Sequence, residues 1–161
     1  MRSEQEVISA IDRHGDTVRR LCLLYLKNYA DTEDIFQTVF LKYAQRSAAF
    51  ISPEHEKAWF IRVTINGCKD ILKSFFRTKT VSLEEALPLT VPIAQESRDV
   101  LEQVLALPQK YKEVVFLHYY EGYSAPEIGR ILRKNTNTVY TLLNRSREML
   151  RTELEKEGYH G

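Results

Sequence analysis

Apolar residues recur three and four positions apart along most of the chain, which is the spacing of an amphipathic helix. In the first segment this stripe runs from Ile8 to Tyr25. The polar run 14–16, His-Gly-Asp, interrupts it, so the pattern allows one bent helix or two helices in succession. In either case the first element of the chain is predicted to be helical.

Two polar signals mark where later helices of the first half begin. Asp31 is predicted to be an N-cap, with Asp34 three residues on, because acidic groups suit the positive end of a helix dipole. Ser52 followed by Pro53 is the second signal, since proline fits the first turn of a helix, where its missing N–H costs nothing. An apolar stripe follows each signal, so two further helices are predicted.

The helical period stops between Arg77 and Ser97. This stretch holds prolines, threonines and serines, and its acids outnumber its one lysine. At about twenty residues it is longer than most loops. We predict a flexible linker over 77–97 that joins domains at 1–76 and 98–161. Either a plain tether or a segment with contacts of its own fits this composition.

The second half carries the layout of a helix-turn-helix. Helical spacing resumes after the linker, and Gly122 is a natural stop. The run 124–127, Ser-Ala-Pro-Glu, combines a capping box with a proline in the first turn. A short helix to Leu132, a polar break at 133–135 and a long helix from Thr136 follow. Every predicted element is helical, so the fold class is all-α, with two small domains.

Charge is distributed unevenly, although the net charge is only +1. Between Arg130 and Arg151 there are six basic residues and one acid, a surface suited to phosphate. The cluster Asp31, Glu33 and Asp34 would instead repel phosphate. The two halves are therefore predicted to meet different partners.

Several classes of protein are disfavoured by the residues present. Cys22 and Cys68 show no zinc or disulfide spacing, the four histidines are scattered, and no nucleophile or phosphate-loop motif occurs. We therefore expect no catalytic site, metal or cofactor. No stretch approaches the roughly 18 apolar residues of a membrane span, and the polar start is unlike a secretory signal. We expect no membrane insertion and a cytoplasmic location.

Three motifs together resemble the extracytoplasmic-function (ECF) class of bacterial sigma factors. Residues 107–129 and the following helix resemble region four, which grips the minus-thirty-five promoter element. Residues 30–40, Ala-Asp-Thr-Glu-Asp-Ile-Phe-Gln-Thr-Val-Phe, resemble the acidic region-two helix that docks on RNA polymerase. Trp59-Phe60, Asn66 and Lys73 match the helix that opens and reads the minus-ten element.

The resemblance implies a transcription-initiation factor, not an enzyme, that directs core RNA polymerase to promoters. The implied partners are the polymerase beta-prime clamp helices and beta flap, promoter DNA and a cognate anti-sigma factor. The implied polymerase-binding residues are Asp31, Glu33, Asp34 and Gln37. The implied minus-ten residues are Phe50, Arg62, Asn66 and Lys73. The implied minus-thirty-five residues are Arg130, Thr136, Asn137, Thr138, Tyr140, Arg145 and Arg147.

The sequence departs from the family pattern at four positions. Thr38 stands where the family prefers an acid, and Arg133 occupies the usual glycine of the turn. Tyr140 and Leu142 replace positions that are commonly basic in the recognition helix. Two other functions therefore stay open at this point. One is a helix-turn-helix regulator that acts without polymerase, and the other is a sigma-like protein that acts only by protein contacts.

Overall fold

The computed structural model describes residues 1–26, 28–78 and 102–156, without the side chains of 75–78. Within these ranges every regular element is a helix, which confirms the all-α prediction. The chain divides into two compact units, Met1–Thr90 and Val91–Gly161. From residue 79 onward, the linker predicted over 77–97 lies outside the described residues.

Unit 1 contains three helices, α1 over Glu4–Tyr25, α2 over Tyr29–Gln45 and α3 over Pro53–Thr78. Each packs against the other two. Their inward faces build one apolar core, and burying a side chain of this kind contributes about 1.5–3 kcal/mol. The core side chains include Val18, Leu21, Cys22, Leu24, Ile35, Val39, Phe40, Tyr43, Phe60, Ile61, Ile65 and Cys68.

Helix α1 is continuous through the polar run 14–16, which settles the choice that its sequence left open. Its start is fixed by a capping box in which Ser3 accepts from the Glu6 backbone N–H at 3.2 Å. His14 and Gly15 are both buried in the interior of the unit. The break in the apolar stripe is therefore filled by a buried polar side chain, so the helix does not end there.

The start of α2 corrects one prediction. Asn28 is the N-cap, and its side-chain oxygen accepts from the Asp31 backbone N–H at 3.2 Å. Asp31 therefore lies inside the first turn, where its charge still suits the helix dipole, and it caps nothing. The second signal is confirmed, because α3 begins at Pro53 and Ser52 accepts from the His55 backbone N–H at 3.1 Å.

Unit 2 contains a helical segment over 102–106 (α4), then α5 over Gln109–Val115, α6 over Ala125–Leu132 and α7 over Thr136–Lys156. Helix α5 passes directly into a turn of π-helix over Phe116–Tyr120, which the sequence pattern did not predict. The core of this unit includes Val104, Leu107, Val114, Val115, Leu117, Ile128, Val139 and Leu143. Across the described ranges, no helix is both long enough and apolar enough to span a membrane.

Candidate functional site

The exposed face of α2 carries the predicted polymerase-binding acids. Asp34 and Gln37 are exposed, whereas Thr32, Ile35 and Val39 are buried on the opposite side. This confirms the prediction that Asp34 and Gln37 share an exposed helix face. The face is acidic and polar, so it suits a basic protein partner.

The other two acids of this cluster are less available than Asp34. Asp31 and Glu33 are both half-buried. The Glu33 carboxylate also lies 3.8 Å from the Arg19 guanidinium of α1, which offsets part of its charge. Asp34 is therefore the acid with which a partner would interact most directly.

An exposed leucine on α2 was not among the predicted site residues. Leu41 is 58% exposed and follows Asp34, Gln37 and Thr38 at helical spacing, so these four side chains share one face. We call this set the α2 face. The signal was present in the sequence, because Leu41 falls outside the apolar stripe that Ile35, Val39 and Tyr43 define.

Helix α3 presents three of the predicted minus-ten residues on one side. Arg62, Asn66 and Lys73 are exposed and are spaced four and seven residues apart, which places them on one face. The opposite side of α3 is buried through Phe60, Ile61, Thr64, Ile65 and Cys68. We call Arg62, Asn66 and Lys73 the α3 stripe.

Phe50 does not form an open platform. It is half-buried and lies parallel to Tyr43 at 6.3 Å and edge-on to Trp59 at 5.7 Å. The guanidinium groups of Arg46 and Arg2 lie 4.6 Å and 5.4 Å from its ring centre. This packing fixes the loop between α2 and α3. A base reaching Phe50 would therefore meet an aromatic ring already in contact with two arginines.

An open cavity of about 490 Å³ lies beside this loop. Glu56 is in its wall and accepts from Arg13 at 2.6 Å and from His14 at 2.9 Å. Burial alone would raise the pKa of Glu56, but these two bonds bring it below the usual value. The lining therefore combines cations, an ionised carboxylate and apolar groups. The residues are Arg2, Arg13, His14, Ala49, Phe50, Ile51, Ser52, Pro53 and Glu56.

The two cysteines, distant in sequence, meet in the core of unit 1. The Sγ atoms of Cys22 and Cys68 are 3.9 Å apart, and both thiols are free and buried. The contact with Cys22, together with burial, raises the pKa of the Cys68 thiol. A neutral, buried thiol is a poor nucleophile and a poor metal ligand, so this pair serves packing.

In unit 2, the turn between α6 and α7 depends on special backbone geometry. Arg133 lies in the left-handed region at φ 57° and ψ 49°, as its position at the family's usual glycine suggested. Gly129 sits so close to the turn that a Cβ would come within 2.7 Å of the Lys134 carbonyl oxygen. The Lys134 backbone N–H also donates to the Gly129 oxygen at 2.8 Å. Only glycine at 129 allows this approach.

The predicted capping box holds the other end of α6. The Glu127 backbone N–H donates to the Ser124 hydroxyl at 3.3 Å, and the Ser124 N–H donates to the Glu127 carboxylate at 3.0 Å. These bonds lower the pKa of the Glu127 carboxyl. Short helix, tight turn and second helix are thus confirmed as a helix-turn-helix.

Helix α7, together with the end of α6, exposes most of the predicted minus-thirty-five residues. Asn137, whose N–H donates to Asn135 at 2.8 Å, begins the exposed surface. Thr136 is half-buried, which leaves it less accessible than its neighbours. The exposed members are Asn137, Thr138, Tyr140, Arg145 and Arg147 on α7 and Arg130 on α6. Their side chains offer hydrogen-bonding groups and positive charge on one unit, which is what DNA binding requires.

Comparisons with known proteins agree with this geometry. The family model for Sigma-70 region 2 matches residues 10–78, and the one for Sigma-70, region 4 matches residues 97–150. The chain is 29% identical over 153 residues to the RNA polymerase sigma factor SigV of Bacillus subtilis, covering 94% of this chain and 92% of that protein. It is 27% identical to the ECF sigma factor SigW of the same organism, covering 89% and 86%. The chain belongs to the ECF sigma factors of the sigma-70 family.

Solved structures show the same fold. A sigma factor RpoE, in complex with the anti-sigma factor NepR from Bartonella quintana, aligns with a TM-score of 0.72 at 19% identity and covers 97% of this chain and 98% of that one. CnrH, in complex with the cytosolic domain of CnrY, aligns with a TM-score of 0.68 at 19% identity and covers 97% and 92%.

Family membership gives the function in outline. This ECF sigma factor directs core RNA polymerase to promoters, and it is a transcription-initiation factor without enzymatic activity. The α2 face and the α3 stripe lie inside the region-two match, and the helix-turn-helix lies inside the region-four match up to Leu150 of α7. The alternative of a regulator that acts without polymerase is not favoured.

Leu142, one of the two departures from the family pattern in the recognition helix, lies inside the protein. Its side chain is 6% exposed and packs in the core of unit 2, so it is not part of the DNA-facing surface. Tyr140, at 52% exposed, is the substitution that a DNA partner would meet.

Proposed function

We propose that three separate surfaces of this sigma factor divide the work of promoter recognition. The α2 face docks on the polymerase clamp, the α3 stripe with the Phe50 loop meets the minus-ten element, and the start of α7 reads the minus-thirty-five element. The observation that carries this assignment is the segregation of charge. The acids of α2, with Asp34 the exposed one, lie in unit 1, whereas the exposed bases of α7 lie in the other unit, so neither surface suits the other's partner.

Docking through α2 rests on an open acid beside an exposed leucine. Charge complementarity sets the encounter rate and register, and Leu41 adds apolar area that is desolvated on contact. Asp34→Lys should weaken core-polymerase binding while the helix content stays unchanged, because the Asp34 side chain makes no hydrogen bond or ion pair with any described residue. Asp12→Lys, the same charge change on the exposed side of α1, is the matched control. Equal binding by Asp34→Lys and the parent would remove the α2 face from the interface.

Minus-ten recognition through α3 is tested best at Asn66. Its side chain is exposed, so removing it disturbs no packing, whereas Phe50→Ala would also loosen the loop. Asn66→Ala and Arg62→Ala should reduce open-complex formation. A base that stacks on Phe50 would contribute about 1–3 kcal/mol to binding of the single strand. Arg20→Ala, an exposed arginine on α1, is the control. An unchanged open-complex yield in both α3 variants would overturn the assignment.

Minus-thirty-five recognition assigns two kinds of contact to α7. Arg145→Ala, a predicted phosphate contact, should weaken binding to all promoters and lower the salt slope by about one unit. Asn137→Ala should instead change the preferred base at one position. Both are measured in the full chain bound to core polymerase. Lys156→Ala removes one charge near the far end of α7 and should change neither quantity.

An anti-sigma partner is the last part of the proposal. Solved structures of similar fold are complexes with the anti-sigma factor NepR and with the cytosolic domain of CnrY. We expect a cognate anti-sigma factor to bind this chain in the cytoplasm and to compete with core polymerase. Competition binding with Asp34→Lys would test whether the two partners share the α2 face.

A further inference from the structure

The π-helical turn at the end of α5 has a defined effect on the surface of unit 2. Over Phe116–Tyr120 the backbone bonds span five residues, with the Glu121 N–H donating to the Phe116 oxygen at 3.1 Å. An inserted residue of this kind rotates the side chains that follow it, and such turns are frequent at functional sites. Here Phe116 stays buried, whereas Tyr119 is 53% exposed.

Tyr119 is supported by a neighbouring residue of the same turn. The His118 ring lies edge-on to the Tyr119 ring at 4.8 Å. The other contact of His118 is from its Nδ1 to the backbone carbonyl oxygen of Tyr123, at 2.7 Å. The wide turn therefore presents a phenol whose ring packs against the His118 ring, and His118 is itself held by Tyr123.

The Tyr119 hydroxyl meets Arg147 of α7. Arg147 Nε donates to the Tyr119 oxygen, and the guanidinium carbon lies 5.7 Å from the tyrosine ring centre. Arg147 Nη1 also donates to the Asn144 side-chain oxygen at 3.2 Å. These bonds use two of the five N–H donors of the guanidinium and leave three for a ligand.

The held guanidinium belongs to the predicted DNA surface. Arg147 follows Tyr140 and Asn144 at spacings of seven and three residues, so the three side chains share one face of α7. A phosphate contact at this position would otherwise require a long, mobile side chain to lose its rotamer freedom on binding. Two fixed hydrogen bonds remove part of that freedom before DNA arrives.

We propose that Tyr119 is a positioning residue for promoter binding, holding the Arg147 guanidinium ready for a DNA backbone phosphate. This rests on the proposed role of α7 in minus-thirty-five recognition. The π-helical turn at the end of α5 is then the feature that places Tyr119 against α7. Ordering one such side chain in advance corresponds to roughly a 2- to 10-fold gain in affinity.

The test uses the full chain bound to core polymerase, with promoter binding measured over a range of salt. Tyr119→Phe keeps the ring and removes the hydroxyl, so it should weaken binding 2- to 10-fold while leaving the salt slope unchanged. Arg147→Ala should lower the slope by about one unit. In the double variant, Tyr119→Phe should have no further effect, because the group that it positions is gone.

Tyr120→Phe is the matched control. Tyr120 is the next residue of the same turn, 47% exposed and stacked on Phe116 at 5.5 Å, and its hydroxyl has no hydrogen bond to any described residue. Its variant should bind as the parent does. The thermal midpoints of all variants should agree, which separates positioning from a general loss of structure.

The possible failures are distinguishable. If Arg147→Ala keeps the parent's affinity and slope, the proposed phosphate role of Arg147 fails. If Arg147→Ala weakens binding but Tyr119→Phe does not, the positioning role alone is overturned. A further loss from Tyr119→Phe in the Arg147→Ala background would show that Tyr119 acts independently of Arg147, which also overturns it.

Discussion

The two units place their binding surfaces by different physical means. In unit 1, the α2 face and the α3 stripe are the outer sides of long helices whose inner sides pack around Phe60. His14 stacks on Phe60 at 4.5 Å and bonds to Glu56, so even the polar interior is built from side-chain contacts. In unit 2, the recognition surface is set by backbone geometry, at Gly129, at the left-handed Arg133 and at the π-helical turn.

This difference predicts opposite sensitivities. A surface supported by side-chain packing should be lost when a large core side chain is removed. A surface supported by close backbone approach should be lost when a single methyl group is added. Substitutions confined to one unit separate the two cases, because the other unit then serves as an internal reference.

Removing the Phe60 side chain should give the largest effect. Phe60 is fully buried and contacts His14, Phe40, Tyr43 and Trp59. Phe60→Ala should reduce the free energy of unfolding by about 3–5 kcal/mol. Trp59, the single tryptophan, reports this transition by fluorescence in urea.

Leu41→Ala is the control for that change, because Leu41 is 58% exposed and its truncation should alter unit 1 stability little. Hydrogen exchange should show unit 2 protected as in the parent. A Phe60→Ala protein with parental stability would mean that packing around this ring does not support unit 1.

Adding one methyl group at Gly129 should lower the free energy of unfolding of unit 2 by about 1–3 kcal/mol, the usual cost of overpacking. The new Cβ would lie 2.7 Å from the Lys134 carbonyl oxygen, and both are backbone-bound and unable to swing away. Gly129→Ala should therefore lose minus-thirty-five binding while Trp59 fluorescence reports an intact unit 1. The readouts are promoter binding and hydrogen exchange of α6 and α7.

Gly15→Ala is the matched control in unit 1. There the Cβ would meet Phe36 at an ordinary 3.5 Å, and alanine is the better helix former, so stability should hold or rise. Equal behaviour of the two alanine variants would contradict the backbone account of unit 2.

Changing Arg133 to glycine should stabilise unit 2 by about 1 kcal/mol, because a left-handed residue with a side chain carries a cost of that order. Arg130→Gly, on the exposed side of the neighbouring helix, should instead cost about 1 kcal/mol by helix propensity. Opposite signs for two Arg→Gly changes three residues apart would be measured by thermal unfolding. A loss of stability at both positions would show that Arg133 makes contacts that outweigh its backbone strain.

Much of the fold was open to prediction because local signals and burial agreed. The capping box at Ser124, the proline start at Pro53 and the turn before Thr136 are short-range features, and each has one physical reading. Asp34 and Gln37 were placed correctly on an exposed face because the helical period of α2 is regular.

The remaining features depend on contacts between residues distant in sequence. The true cap of α2 is Asn28, and nothing local ranks it above Asp31. The meeting of Cys22 with Cys68, the partners of Phe50 and the burial of Leu142 follow from packing between helices. The π-helical turn has no period of its own over five residues, so a pattern of apolar spacing does not reveal it.

The smallest expected effect is a difference in acid sensitivity between the units. In unit 1, burial lowers the pKa of His14 below its ordinary value of 6.5, although the bond to Glu56 acts in the opposite direction. The unfolded chain therefore takes up this proton at a higher pH than the folded chain, and stability falls as pH drops below 6.5. In unit 2, the Glu127 carboxyl has a pKa below its ordinary value of 4.5. The stability that this carboxylate contributes is therefore lost only below that pH.

Between pH 7 and pH 5, the stability of unit 1 should therefore fall, whereas protonation of Glu127 should lower the stability of unit 2 only at a lower pH. His14→Gln should reduce this loss in urea unfolding followed by Trp59 fluorescence, since an amide keeps a polar group beside Glu56 without a titrating ring. His118→Gln, in the other unit, should leave the same transition unchanged. Arg13 and Lys57 also disfavour the protonated imidazole, so their charges add to the effect of burial. If the parent and His14→Gln lose stability in parallel over this range, the acid sensitivity of unit 1 comes from other groups, and its polar interior would no longer distinguish it from unit 2.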